Sequence, residues 1–199
     1  MEIISSSLFD EWLKKLKDKH AQRRILHAIA RCEAHAMMLG DIKAVGGKVS
    51  ELRFHFGSGY RVYYTQLGAL TVFLLAGGDK SSQTRDIQIA QELAQQVRGG
   101  AVMSKVTFSA FDASKYLDSQ EAMNDYLAIA LEDGDTKTVQ VVLRDIARAH
   151  GMTQLAKETE LNRESLYKSL SKDGNPSFAA ITRIMKALGL RMTLAEQKI

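Results

Sequence analysis

After Gly40 the apolar residues of this chain stop recurring at helical spacing and begin to alternate, and beyond Phe108 the alternation does not return. Such a change of period separates a half of mixed helices and strands from a half that is helical throughout. At 199 residues the chain is long enough for each half to bury a core of its own. The join falls within "QQVRGGAVMSKVTFSAFD", where Gly99 and Gly100 precede Met103, Ser104 and Lys105, a triplet that reads like the beginning of a protein. The pattern assigns a first domain to residues 1–98, a joint to 99–107 in which Met103 is a candidate former start, and a second domain to 108–199.

Composition narrows the class. An apolar share of 45% with 25% charged residues is that of a soluble globular protein. No apolar run approaches the roughly 18 residues that cross a bilayer, and the acidic opening "MEIISSSLFDEW" has no signal-peptide pattern, so a cytoplasmic protein with no membrane partner is expected. Cys32, the one cysteine, has no partner for an internal disulfide, and no residues stand at zinc-ligand spacing; no metal and no cofactor are expected. Charge is uneven. Residues 1–102 carry 14 Lys and Arg against 10 Asp and Glu, whereas residues 103–199 carry 13 of each. The first half is therefore the better match for a polyanion.

In the first half, "MEIIS" reads as a strand and Leu8 to Met38 as two amphipathic helices broken near Asp18 to His20. "ELRFHF", the turn "GSG" and "YRVYYTQL" form a hairpin, and "LTVFLLAGG" is apolar enough for a central strand before a closing helix capped near Ser82. The expected order is one strand, two helices, three antiparallel strands and a helix, with the helices on one sheet face. The other face would then carry Arg53, His55, Arg61 and Tyr63, with Lys80 at the strand end. Guanidinium groups match phosphate oxygens, and cations stabilise charge that develops on phosphorus. The same spacing also suits a cross-strand arginine pair on a solvated surface.

The second half has no expected strand. "DSQEAMNDYLAIALEDG", with Asp118 as cap, and "DTKTVQVVLRDIARAHG" read as core helices. In "MTQLAKETELNRESLYKSL", Leu155 and Ala156 lie on a short helix, and Leu166 and Leu170 lie on the inner face of a second helix capped by Asn162. This is helix-turn-helix spacing. Arg163, Glu164, Tyr167 and Lys168 would face outward toward a major groove, with Thr153 and Gln154 meeting backbone phosphate; an ordinary helical hairpin fits the pattern too. A last helix would turn Phe178, Ile181, Ile184, Met185 and Leu188 inward.

"FDEWLKKLKD", "RILHAIAR", "GDIKAVGGKVSELRFHFGSGYRVYY" and "LLAGGDKSSQTRDIQIA" resemble the RelE/ParE toxin superfamily in its HigB-type branch of addiction-module killer proteins. "FDASKYL", "YLAIALEDGD" and "IARAHGMTQLAKETELNRESLYKSLSKDGNPSF" resemble HigA-type antidote proteins with a Cro/C1-type DNA-binding fold. The resemblance implies an α+β RelE/ParE-like domain, an antiparallel sheet with helices on one face, followed by an all-α helix-turn-helix antitoxin domain. It further implies a metal-independent endoribonuclease that cuts mRNA on the ribosome, using Arg53, Arg61 and Lys80 on phosphate and Tyr63 and His55 for proton transfer. The antidote would neutralise its toxin within or between chains and bind operator DNA as a homodimer; the arm "VTFSAFDASKYL", whose Phe108, Phe111 and Tyr116 precede the first expected helix, is the candidate contact with the toxin domain. Three alternatives remain: a ParE-like gyrase inhibitor fused to its antidote, a DNA-binding regulator with an inactive toxin-like interaction domain, and a generic RNA binder with a basic first domain.

Overall fold

A computed structural model describes residues 1–99, 106–171, 174 and 176–190. Met103 and the rest of 100–105 lie outside the described residues. The chain divides into two compact units, Met1–Asp112 and Ala113–Ile199.

The first unit begins with β1 (Glu2–Ser6), which runs straight into α1 (Ser7–Lys15). Ser6 makes the change of direction possible: its hydroxyl accepts from the Phe9 N–H at 3.0 Å and donates to the Leu75 carbonyl. α2 (Lys19–His35) follows, capped by Asp18 and closed by Ala36 at φ 55°. Then come β2 (Asp41–Gly46), β3 (Val49–Arg53), β4 (Arg61–Leu67), β5 (Thr71–Gly78) and α3 (Gln83–Val97), and finally β6 (Phe108–Ala110). The sheet order is β2-β3-β4-β5-β1-β6, with β1 parallel to β5 and the other neighbours antiparallel.

Three expectations change here. The sheet is mixed rather than antiparallel throughout. β2 is a further strand, whose mostly exposed side chains left no apolar alternation to read. β6 is a strand where only helices were expected, because a three-residue strand is formed by its pairing with β1 rather than by its own composition.

The helices also do not share one face. Adjacent residues of a strand point to opposite sides, and the two glycines ending β5 show what lies on each. A Cβ on Gly77 would stand 2.0 Å from the Trp12 ring of α1, and one on Gly78 would stand 1.8 Å from Asp86 of α3. Thus α1 packs on one side and α3 on the other. The α3 side holds a core of Val49, Tyr63, Leu75, Ala90, Leu93 and Ala94. α3 is also pinned there by polar contacts: Gln83 donates to Glu51 at 3.1 Å, Gln91 to the Val45 carbonyl at 2.9 Å, and Arg98 to the Thr65 hydroxyl at 3.1 Å.

The second unit has a 3-10 turn at Ala113–Tyr116 and helices α4 (Gln120–Asp133), α5 (Thr136–His150), α6 (Met152–Thr159), α7 (Arg163–Ser169) and α8 (Phe178–Ala187). Ser119, not Asp118, caps α4, its hydroxyl accepting from the Ala122 N–H at 3.1 Å. Tyr126 of α4 is buried and donates to Asp145 of α5 at 3.2 Å, which satisfies two polar groups in the core at once. Leu155, Leu166, Leu170, Ile184, Met185 and Leu188 close the apolar centre of α6, α7 and α8, while Phe178, expected to face inward, is 72% exposed. Gln140 of α5 fastens the end of α7 by donating to the Ser169 and Ser171 carbonyls at 3.3 and 2.9 Å.

Candidate functional site

Strand register sets the first candidate site. Asp41, Arg53, Arg61 and Gly78 are successive partners across β2, β3, β4 and β5, and Lys43, Glu51, Tyr63 and Ala76 form the row behind them. Directly paired residues project from the same face, so both rows point to the side on which α3 packs. Arg53 is held by Asp41, Nη2 to Oδ1 at 2.6 Å, and the other oxygen of the same carboxylate meets His55 Nε2 at 2.6 Å. This arrangement keeps the Asp41 carboxyl below its ordinary pKa, the Arg53 hydrogen bond contributing most and the His55 bond next. One carboxylate thereby fixes both a guanidinium and an exposed imidazole.

Arg61 is mostly buried. Its Nε lies 3.4 Å from Glu51, which is 1% exposed, and its Nη1 donates to the Gly59 carbonyl at 2.6 Å. A Cβ on Gly59 would touch both Arg61 Nη1 and Lys80 Cβ, at 3.7 and 3.8 Å, so this tight loop lies between the Arg61 guanidinium and the base of the Lys80 side chain. Lys80 is exposed. Tyr63 is fully buried under α3 instead of lying on open surface, and its hydroxyl has no hydrogen-bond partner among the described residues. Burial chiefly, with the Glu51 and Asp86 charges adding, pushes its phenol well above the usual range. Tyr63 is thus held as a neutral phenol.

The structure therefore groups Arg61, Lys80 and Tyr63 near the start of α3 and groups Arg53 with His55 on Asp41. Three carboxylates beside these groups were not among the residues singled out from sequence: Asp41, Glu51 and Asp86. Glu51 was legible only as a residue opposite Leu52. Asp86 lies over Gly78, hydrogen-bonded by the Ser82 hydroxyl, and burial raises its carboxyl pKa. The Ser82 to Asp86 spacing of four, following two glycines, was the available signal. Among the described residues no group of three or more His, Cys, Asp or Glu side chains is placed to hold a metal ion, and no helix is long and apolar enough to cross a membrane.

The second candidate site is the outer side of α6 and α7. These helices are joined by Glu160–Asn162, with Glu160 at φ 55°, and the Asn162 side chain caps α7 by accepting from the Glu164 N–H at 2.8 Å. Thr153, Gln154, Asn162, Arg163, Glu164, Tyr167 and Lys168 are all exposed. Arg163 stacks toward Tyr167, with the guanidinium carbon 5.6 Å from the ring centre. Gln154 donates to Glu158 at 2.6 Å, and Glu158 also meets His150 at 2.8 Å. A cleft of about 330 Å³ beside Tyr167 is lined by Arg144 and Arg148 of α5. That pair, one helical turn apart, was missed because α5 was read only for its apolar face.

Comparison with known proteins assigns the two parts separately. A family model described as phage derived protein Gp49-like matches residues 11–95, and one described as probable addiction module antidote protein matches residues 107–196. Two uncharacterized proteins of Haemophilus influenzae are similar. One is 39% identical over 88 residues, 44% of this chain and 91% of the relative. The other is 42% identical over 97 residues, 49% of this chain and 96% of the relative. Each relative is thus matched over nearly its whole length by less than half of this chain. No solved structure matches the chain significantly. The chain belongs to two families, a Gp49-like toxin-type domain followed by an addiction-module antidote domain, and so unites the two parts of a toxin–antitoxin system in one polypeptide.

Proposed function

We propose that the first unit is a HigB-type, metal-independent endoribonuclease that cuts mRNA on the ribosome, and that the HigA-type second unit neutralises it and binds operator DNA as a homodimer in the cytoplasm. The observation that supports the nuclease reading is the basic end of the sheet, where Arg53 pairs in register with Arg61, Arg53 shares Asp41 with His55, and the Arg61 side chain lies near the base of Lys80. Cleavage without a metal needs a base for the ribose 2'-hydroxyl, an acid for the leaving oxygen and cations for the charge on phosphorus. His55, oriented by Asp41, supplies the proton-transfer group on the exposed side. Lys80 and the guanidinium edge of Arg61 supply positive charge. Tyr63 serves beneath them, as a neutral phenol that can donate once α3 shifts.

The burial of Tyr63 and the pairing of Arg61 with Glu51 favour a second reading, a toxin-like interaction domain that acts by binding alone. Translation in a cell-free extract separates the two. The first unit, residues 1–112, is expected to arrest translation and leave cut transcripts, whereas the intact chain is expected to be inert. Arrest without cleavage, or no arrest at all, favours the binding reading.

For DNA, the supporting observation is the exposed row Arg163, Glu164, Tyr167 and Lys168 on a capped helix, with Thr153 and Gln154 at the start of its neighbour. A dimer would place two such helices in half-sites about 34–36 Å apart, or a multiple of that distance.

A further inference from the structure

We propose that residues 106–112 are a docking strand by which an antidote domain grips a toxin domain, and that it anchors at a sheet edge remote from the basic residues, without covering them. This rests on the toxin–antidote reading of the two units and specifies where they are joined. The antidote family match begins at residue 107, whereas the toxin-type match ends at residue 95. Yet the chain up to Asp112 belongs to the first compact unit. By sequence family the segment belongs to the antidote; by its hydrogen bonds it belongs to the other domain's sheet.

The pairing is specific in register. Ile4 faces Ala110, Ser5 faces Ser109 and Ser6 faces Phe108. Beyond the strand itself, the Ser7 N–H donates to the Thr107 carbonyl at 2.9 Å and the Phe111 N–H to the Ile3 carbonyl at 2.9 Å. Without these residues β1 would be an open edge with unpaired backbone groups, the kind of edge that accepts an added strand. Side chains make the addition selective. Phe108 packs edge-on against Phe73, centroids 5.8 Å apart, and joins the core on the α3 side. Phe111 meets Phe9 of α1 at 6.0 Å. Two aromatics three residues apart thus clasp the sheet from both sides. The edge is fitted for an extended segment of the form Phe-x-x-Phe.

The position of β6 matters for mechanism. β5 and β1 stand between β6 and β4, so the docked strand lies three strand spacings, roughly 14 Å, from the strand of Arg61. It can hold the partner in place while the basic end of the sheet stays outside its footprint.

The test uses the whole chain with a protease site placed within residues 100–105, cut after folding and passed over a sizing column. With the native arm, the two fragments are expected to elute together. Ser109→Pro puts a residue without an N–H at the centre of the strand, and the pair Phe108→Ala, Phe111→Ala removes both clasps. Either change is expected to separate the fragments or weaken them by roughly tenfold or more, with circular dichroism showing both still folded. A peptide of residues 106–117 is expected to displace the second fragment from the native cut chain. Fragments of both variants that stay together as tightly as the native pair overturn the docking strand and leave toxin–antidote pairing standing, and so does a peptide that displaces nothing. Native fragments that separate on cutting overturn the pairing itself.

Discussion

The basic end of the sheet and the outer face of α7 carry similar side chains in opposite surroundings. Arg61 and Tyr63 lie under α3, the arginine paired with Glu51 and the phenol without a partner among the described residues. Arg163 and Tyr167 stand in solvent and touch each other. In low dielectric an ion pair is costly to desolvate and costlier still to break. On an exposed helix the same groups contribute little to stability and are available to a ligand. The sheet end is thus built like a core with charges in it, and the α7 face like a surface waiting for a partner.

The sharpest way to break that contrast is to remove Glu51. Glu51→Ala leaves the mostly buried Arg61 charge without its carboxylate and is expected to destabilise the first unit by about 3–5 kcal/mol. Arg163→Ala is expected to change the stability of the second unit by no more than about 0.5 kcal/mol. Urea unfolding of the two variants, followed by Trp12 fluorescence and by circular dichroism, measures both. Equal small losses would mean that the Arg61 pair behaves as a surface pair.

Next in size is catalysis. If Arg61 and Lys80 stabilise charge on the scissile phosphate, Arg61→Ala or Lys80→Ala in the released first unit should slow mRNA cleavage by about a hundredfold or more. Lys80 is exposed, so its variant should keep native stability, which separates a chemical loss from a folding loss. Cleavage at the native rate by a folded Lys80→Ala protein would remove Lys80 from the mechanism.

On the α7 side, Arg163→Ala tests what the exposed face reads. A base contact predicts a loss of discrimination between operator and scrambled DNA of about 1–3 kcal/mol. A phosphate contact predicts weaker binding to both and a salt slope smaller by about one. Arg148→Ala should behave in the second way, because Arg148 lies beside Tyr167 on a different helix. Titrations at two salt concentrations decide between them.

The contrast also explains what the sequence could reveal. The helices were legible, including α6, α7 and the Asn162 cap, because their apolar period and caps are set by residues within one or two turns. The exposure of Arg163 and Lys168 follows from that same local geometry. The surroundings of Tyr63 do not. Alternation put it opposite Val62, but whether that side is open depends on α3, which is about 20 residues away along the chain and pinned through Gln83, Gln91 and Arg98. β6 was hidden for a similar reason, since its partner β1 lies about a hundred residues earlier. Local patterns told which residues share a face; only the fold told what covers it.

The smallest expected effect is the pH dependence, and it should run in opposite directions on the two sides. Burial raises the Asp86 pKa in the first unit, with the Asp79 charge adding. A carboxyl whose folded pKa lies above its unfolded value binds its proton more tightly when folded. Its contribution is therefore fully present below the ordinary carboxyl range, about pH 4, and lost as pH rises through the folded value. Glu158 in the second unit is shifted down, first by its hydrogen bond from Gln154 and then by that from His150. Its contribution is present above the unfolded value and lost as pH falls through the folded one. Asp86→Asn should thus gain stability relative to the native chain as pH is raised from about 4 toward neutrality. Glu158→Gln should lose stability relative to the native chain at lower pH, as pH rises through the lowered folded value to the ordinary carboxyl value of about 4.3, and should hold level above it. Urea midpoints of the three proteins, measured at intervals from below about pH 4 up to neutrality with the transitions of the two units followed separately, test both signs. An Asp86→Asn difference that stays flat with pH would mean that the carboxyl over Gly78 is solvated rather than buried.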